Sequence, residues 1–212
     1  MTGAANFDRL ARAYRWMEAL TFGSLLMRTR CTMLNEMKDC RRALVLGDGD
    51  GRFTARLLET SPSILIDAVD ASAAMLAELR RNAGPHAERV HMHLADAREW
   101  QPMRTGYDLI VMHFFLDCLT SEEVHALAAR LREACAPDVR WVVSEFAVPR
   151  GWFGAVLARP LVALLYRTFG LLTRLRVRRL PDHRSALVKA DFKLAGETRL
   201  LHGLLVSELW RI

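Results

Sequence analysis

Three glycines at alternate positions, Gly47, Gly49 and Gly51, end a short apolar run in this chain. Because glycine has no Cβ, a loop of this kind takes positive φ angles and lets a ligand approach the peptide groups closely. Two carboxylates, Asp48 and Asp50, alternate with the glycines. The residues after the loop have helical apolar spacing, which predicts a strand, a glycine loop and a helix in succession. The pattern predicts a ligand held against backbone groups at the start of that helix.

An acidic residue, Asp70, ends a second apolar run about twenty residues after Gly51. In doubly wound folds, an acid at this distance binds the ribose hydroxyls of a nucleoside. A later apolar run, 107–112, leads directly into His113 and Asp117. Ligands of open α/β sheets bind outside the carboxyl ends of the strands, so these two residues are expected to line the reaction site.

The elements that position these residues alternate between strand and helix, which indicates a parallel sheet. Strands are predicted at 42–46, 64–69, 90–94, 107–112, 139–146, 192–201 and 204–210, and helices at 52–59, 72–82, 120–134 and 183–190, after two helices within 6–37. Ser72, and Thr120 or Ser121, are predicted to cap their helices. Pro137 and Asp138 are predicted to form a turn before the fifth strand.

The sequence from Leu46 to Gly51, with Asp70 at the end of the second strand and Val69 to Ser72 around it, resembles the class I S-adenosylmethionine-dependent methyltransferases. The resemblance covers roughly residues 41–150 and implies a doubly wound, seven-stranded α/β sheet. That sheet is mostly parallel with an antiparallel last strand, and it has helices on both faces. The implied cofactor is S-adenosyl-L-methionine, with S-adenosyl-L-homocysteine as product.

The resemblance also implies roles for individual residues. The expected cofactor-binding residues are Gly47, Asp48, Gly49, Asp50, Gly51, Asp70, Ala71, Asp96, Ala97, His113 and Tyr14. Asp96 stands where the family places an acceptor for the adenine amino group, and a carboxylate suits that role because it only accepts when ionised. Many members have a carboxylate where this chain has Val45; Asp48 or Asp50 is expected to substitute for it.

The whole chain, 1–212, is interpreted as one methyltransferase domain. Its predicted parts are an N-terminal helical lid at 1–40, a cofactor-binding core at 41–150, a helical cap or insertion at 151–190 and a closing strand hairpin at 191–212. In the resembling family an N-terminal segment lies across the cofactor pocket, so Tyr14 and Arg12 are candidate lid contacts.

Positive charge is concentrated in one segment of the chain, where an anionic partner would be expected to bind. The formal charge is +6, and eight arginines lie between 150 and 184, with Asp182 as the single acid there. Apolar residues recur among those arginines, and three interpretations stay open: a cap shaping an apolar pocket, a basic amphipathic surface at 152–179 that contacts anionic lipid, or a helix packed on the core. Arginines interrupt this run too often for a membrane span.

The expected partner is a small, apolar or lipophilic molecule, with the protein in the cytoplasm or at a membrane periphery as a monomer or a homodimer. Nucleic acid is not expected, because His113 to Leu116 replace the Asn or Asp-Pro-Pro-Tyr sequence of DNA amino-methylases. No metal is expected, since His91 and His93 lack a third ligand nearby in the sequence. Four cysteines without metal-ligand spacing are typical of a reducing compartment.

Methyl transfer from a sulfonium is an in-line displacement, so the protein mainly aligns two reactants. A hydroxyl or amine acceptor needs a base, for which His113 is the first candidate, with Asp117 behind it and His183 third. One alternative is a non-catalytic S-adenosylmethionine-binding module, in view of Val45. A nicotinamide-dependent oxidoreductase is less favoured, because Arg52 stands where its last glycine belongs.

Overall fold

Seven strands of the computed structural model form one sheet, within the described residues 24–149 and 181–212. The strands are β1 (Arg42–Leu46), β2 (Leu65–Asp70), β3 (Val90–Leu94), β4 (Tyr107–His113), β5 (Cys135–Phe146), β6 (Lys193–Leu200) and β7 (Leu205–Arg211). Their spatial order is β3-β2-β1-β4-β5-β7-β6. The strands from β1 to β5 pair in parallel, and β7 runs antiparallel between β5 and β6. The predicted seven-stranded fold with a closing antiparallel strand is confirmed.

Five helices cover the sheet in the described ranges: α1 (Leu25–Cys31), α2 (Arg52–Thr60), α3 (Ala73–Ala83), α4 (Ser121–Arg132) and α5 (His183–Lys189). The predicted caps are present. The Ser72 hydroxyl accepts a hydrogen bond from the Met75 amide at 3.3 Å. Thr120 and Glu123 form a reciprocal capping box at the start of α4. These local bonds satisfy amides that the first helical turn leaves without partners.

The sheet separates two apolar cores, because successive strand side chains point to opposite faces. Leu44, Ile110 and Val143 pack with α4 and α5 on one face. Val45 and Val111 pack with α2 and α3 on the other. The carboxyl ends of β1, β2, β4 and β5 therefore meet along one edge, where their loops carry the predicted site residues.

The turn predicted at Pro137 and Asp138 is wrong, since both lie inside β5. The register shifts from Tyr107 opposite Cys135 to Leu109 opposite Arg140, so β5 has extra residues at this point. Such a bulge accommodates proline, which has no amide proton for the ladder.

The predicted lid and cap lie mostly outside the described residues. Tyr14, Arg12 and the segment 152–179 are among them, so their predicted roles stay predictions. From 24 onward, the N-terminal part consists of α1 and a short 3₁₀ turn, Leu34–Met37. None of the helices in the described ranges has the length and apolar character needed to span a membrane.

Candidate active site

The glycine loop after β1 has three left-handed backbone positions, with φ of +66° at Gly47, +65° at Gly49 and +77° at Gly51. The space around each differs. A Cβ on Gly47 would lie 2.3 Å from the Phe115 ring, and one on Gly51 would lie 2.4 Å from Leu79. At Gly49 the nearest atom is the Met75 sulfur, 3.9 Å away. The first and third glycines are thus required by packing inside the protein, whereas the middle one has no closer neighbour than Met75 among the described residues.

Asp48 turns beneath this loop. Its Oδ2 accepts hydrogen bonds from the Thr54 amide at 2.9 Å and the Thr54 hydroxyl at 2.7 Å. Its Oδ1 is buried and has no hydrogen-bond partner in the structure as described. Burial raises the pKa of Asp48 to about 6, although the Arg30 charge and the Thr54 bonds oppose the rise.

Asp50 contacts Arg52, the first residue of α2, whereas Asp48 contacts the third. Its Oδ1 accepts from the Arg52 amide at 3.4 Å, and its Oδ2 lies 2.8 Å from Arg52 Nε. Together, Asp48 and Asp50 supply the N-terminus of α2 with carboxylates from the chain itself. This is the position where a helix would otherwise bind an external anion.

Asp70 ends β2, as the sequence predicts. Its Oδ1 accepts from the Ser72 amide at 2.8 Å, and burial raises its pKa to about 6. The Asp70 carbonyl accepts from the Ala95 amide at 3.1 Å, which ties this loop to the end of β3. Asp70 and Ala71 therefore lie beside the loop that carries Asp96.

Asp96 is half-exposed and paired with Arg98, whose Nε lies 2.9 Å from both carboxylate oxygens. This hydrogen bonding lowers the pKa of Asp96. An adenine amino group would have to share the carboxylate with Arg98. Ala97 is buried, and its carbonyl accepts from Arg130 at 2.7 Å. The adenine contact stays a prediction.

His113 is buried, with 3% of its surface exposed, and its ring meets Phe53 edge-to-face at 4.4 Å. Neither ring nitrogen has a hydrogen-bond partner among the described residues. Burial and the Arg30 charge keep the pKa of His113 well below its usual value. The predicted role of general base gains no support from this geometry. The ring packs against α2, and its lowered pKa makes it a weak proton acceptor.

Asp117 lies in the turn after β4, and burial raises its pKa to about 6. Next to it is Glu145, a buried residue in β5 to which sequence reasoning gave no role. Glu145 Oε1 accepts from the Phe115 amide at 3.0 Å and the Leu116 amide at 2.8 Å. Its position near the end of a strand was the one feature of the sequence that could have indicated a site residue. Its hydrogen bonds to the turn after β4 are tertiary contacts, which the sequence does not show.

The structure does not bring the histidines of β3 into a metal centre. His93 Nε2 lies 2.8 Å from Asp67 Oδ1, and Asp67 also accepts from the Tyr107 hydroxyl at 2.9 Å. Across 24–149 and 181–212, no three His, Cys, Asp or Glu side chains are grouped to hold a metal ion.

Comparison with known proteins places these features in context. Residues 43–138 match the family model described as a methyltransferase domain. The chain is 39% identical over 126 residues to tRNA1(Val) (adenine(37)-N6)-methyltransferase of Shigella sonnei, covering 55% of this chain and 51% of that protein. The same protein of Escherichia coli matches equally. The chain thus spans about half the length of the curated relatives it matches.

Solved structures share the fold at low sequence identity. A putative O-methyltransferase from Nostoc punctiforme superposes with a TM-score of 0.71 at 18% identity, covering 93% of this chain and 60% of that one. The 1,6-didemethyltoxoflavin-N1-methyltransferase of Burkholderia thailandensis, with S-adenosylhomocysteine bound, gives 0.67 at 18% identity, covering 98% and 86%.

One expectation is overturned by these findings. Nucleic acid was excluded as a partner, yet the curated relatives are named as tRNA methyltransferases. The exclusion was drawn from four residues after β4, His113 to Leu116. The likeness to the tRNA enzymes extends over 126 residues, so those local signs were too narrow a basis.

Proposed function

We propose that this protein is a class I, S-adenosylmethionine-dependent methyltransferase that transfers a methyl group to a small apolar molecule. Its residues 43–138 match the methyltransferase-domain model, which supports this proposal. Transfer is a direct in-line displacement at the methyl carbon, with S-adenosylhomocysteine as product. The methyltransferase-domain match supports the resemblance found in the sequence, and the strand order is the one that the resemblance implies. The cofactor is part of the proposal. The residue roles and the acceptor are our proposal.

The observation that carries the proposal is the acidic end of the sheet in a chain of net positive charge. Asp48 and Asp50 already cap α2, so a pyrophosphate at this loop would meet two carboxylates in place of open amides. S-adenosylmethionine carries a sulfonium and an ammonium group, and buried carboxylates favour such cations. The arrangement therefore favours this cofactor over a nicotinamide dinucleotide.

In this proposal the side of Gly49 where a Cβ would point receives the cofactor, because a ligand can approach the backbone there without displacing a side chain of the described residues. Asp70 and Ala71 hold the ribose, and Asp96 and Ala97 hold the adenine. Asp48 is the better candidate to replace the carboxylate missing at Val45: both oxygens of Asp50 contact Arg52, whereas Asp48 Oδ1 has no partner among the described residues.

Calorimetry tests the cofactor. The protein is expected to bind S-adenosylhomocysteine and not a nicotinamide dinucleotide, and Asp70→Asn should weaken binding by about tenfold, as for one lost charge-assisted hydrogen bond. Binding of the dinucleotide in preference would refute the electrostatic argument. Transfer of a labelled methyl group then distinguishes an enzyme from a non-catalytic binding module of the same fold.

A tRNA acceptor is the second candidate, supported by the similarity to the tRNA methyltransferases. Eight arginines between 150 and 184 supply positive charge of the kind that a phosphate backbone requires. Incubation with labelled cofactor and total tRNA tests it. Label in the RNA that declines steeply with added salt would support this acceptor, and label confined to small molecules would oppose it.

A further inference from the structure

Glu145 is a buried carboxylate whose second oxygen is left without a partner. It is 2% exposed. Oε1 accepts two backbone amides, whereas Oε2 has no hydrogen-bond partner in the described part of the chain. Leaving a buried polar atom unsatisfied costs free energy, so such an atom in a native fold calls for an explanation. A ligand that donates a hydrogen bond would supply one.

Glu145 also lines a cavity of about 200 Å³ at the carboxyl edge of the sheet. The other described lining residues are Phe146 and Ala147 after Glu145, and the segment 181–184 at the start of α5. Whole ligand sites are usually larger, about 300–1,000 Å³. This cavity therefore has room for the reacting end of an acceptor rather than for a whole cofactor.

Resting on the proposed function, we propose that Glu145, together with Asp117, accepts the proton of the methyl acceptor at this cavity, and that the acceptor accordingly presents a hydroxyl or an N–H group. Asp117 directly follows Leu116, whose amide is bound to Glu145. The two carboxyl groups are thus held at one turn. This assigns proton transfer to a position other than His113.

The surroundings keep this carboxyl pair able to take a proton near neutral pH. Burial, and then the charge of Asp117, raises the pKa of Glu145 well above its usual value, and burial raises the pKa of Asp117 to about 6. Glu208 on β7 acts in the same direction on Glu145. Because the Asp117 charge disfavours a second charge on Glu145, the pair holds one proton near neutral pH and its remaining carboxylate can accept another.

The basic side chains that line the cavity, His183 and Arg184, already contact Glu208. His183 Nε2 lies 3.1 Å from Glu208, and Arg184 Nε donates to Glu208 at 2.8 Å. Cys118 is the other titratable group at the turn, and burial, with Asp117, raises its pKa well above normal, so it stays a neutral thiol. No cation is therefore placed on Glu145 by these described neighbours to remove its basicity.

In this proposal, methyl transfer is coupled to loss of the acceptor proton. The acceptor oxygen or nitrogen forms a bond to the methyl carbon while the carbon–sulfur bond breaks. The electron pair of the broken bond stays on sulfur and gives the neutral thioether. The acceptor proton moves to the ionised member of the Glu145–Asp117 pair, so one carboxylate and one sulfonium become a carboxylic acid and a thioether. Base catalysis of this kind typically contributes about 10²–10⁴-fold.

The test uses the whole chain, labelled S-adenosylmethionine and two acceptor preparations from one bacterial lysate, the protein-free small-molecule fraction and total tRNA. Glu145→Gln keeps an oxygen for the two amides but cannot take a proton, so labelling should fall about 10²–10⁴-fold while cofactor affinity is retained. The rate of the unsubstituted protein should rise with pH, and the variant should lack that rise. Asp67→Asn is the matched control, because it removes a buried carboxylate far from the cavity.

The outcomes separate the two proposals. A Glu145→Gln rate within about threefold of the unsubstituted protein, or an equal loss of rate in Asp67→Asn, overturns the role of Glu145. Labelling of neither preparation by a protein that binds the cofactor also overturns it. Failure of the unsubstituted protein to bind S-adenosylhomocysteine in calorimetry is a different result and refutes the proposed function itself.

Discussion

The glycine loop permits a prediction that separates ligand binding from folding, because its glycines face different surroundings. Gly51→Ala would place a methyl group 2.4 Å from Leu79 Cγ and 2.6 Å from Leu79 Cα, and a backbone atom cannot move aside cheaply. Overpacking costs about 1–3 kcal/mol, and a left-handed φ costs alanine about 1–2 kcal/mol. We expect Gly51→Ala to lower the free energy of unfolding by roughly 2–5 kcal/mol.

Gly49→Ala is expected to behave differently. It meets only the Met75 sulfur at 3.9 Å, so the left-handed φ alone should cost about 1–2 kcal/mol. Gly106→Ala is the matched control, because Gly106 has φ of +79°, no described residue would lie within 4 Å of its added Cβ, and it precedes β4 at the opposite edge of the sheet. The two variants should be equally stable, yet only Gly49→Ala should lose S-adenosylhomocysteine binding.

Urea unfolding of the cofactor-free variants measures the stabilities, and calorimetry measures the affinities. Two results would refute the reasoning. One is a Gly49→Ala variant that binds the cofactor as tightly as Gly106→Ala does, since the side of Gly49 where a Cβ would point would then not face the ligand. The other is a Gly51→Ala variant as stable as Gly106→Ala, since the contact with Leu79 would then be relieved at no cost.

Three further predictions concern buried polar groups. The pKa of Asp48 in the fold, about 6, lies above its usual 3.8, so its protonated carboxyl stabilises the fold below about pH 4 and that contribution is lost as pH rises through 6. Asp48→Asn should therefore raise the free energy of unfolding of the cofactor-free protein at pH 7 by roughly 1–3 kcal/mol and make it less dependent on pH between about pH 4 and 7. A pH profile parallel to that of the unsubstituted protein would contradict this. Tyr107→Phe removes the 2.9 Å hydrogen bond to Asp67 and should cost about 1–3 kcal/mol in urea unfolding, whereas an unchanged midpoint would mean that the bond adds nothing. Thr120→Ala breaks the capping box of α4 and should cost about 1 kcal/mol, while an equal loss in Ser121→Ala at the next position would argue against a specific cap.

The sequence by itself determined the features that depend on neighbours along the chain. Apolar periodicity located the strands of the sheet, and the polar residues before helical runs located Ser72 and Thr120 as caps. The glycine spacing and Asp70 predicted a nucleoside site. These are local patterns, since a cap or a strand face is fixed within a few residues. The turn predicted at Pro137 failed because a bulge depends on the partner strand.

Only the tertiary structure decided which side chains do which work at the edge of the sheet. Asp48 and Asp50 are equivalent in the sequence, yet one turns beneath the loop to Thr54 and the other pairs with Arg52. His113 was favoured as a base by position, but it is buried and packs edge-to-face against the Phe53 ring. Glu145 gains its role from amides thirty and twenty-nine residues away. Burial and neighbouring groups shift the pKa of Asp48, His113 and Glu145, and no spacing along the chain encodes those surroundings.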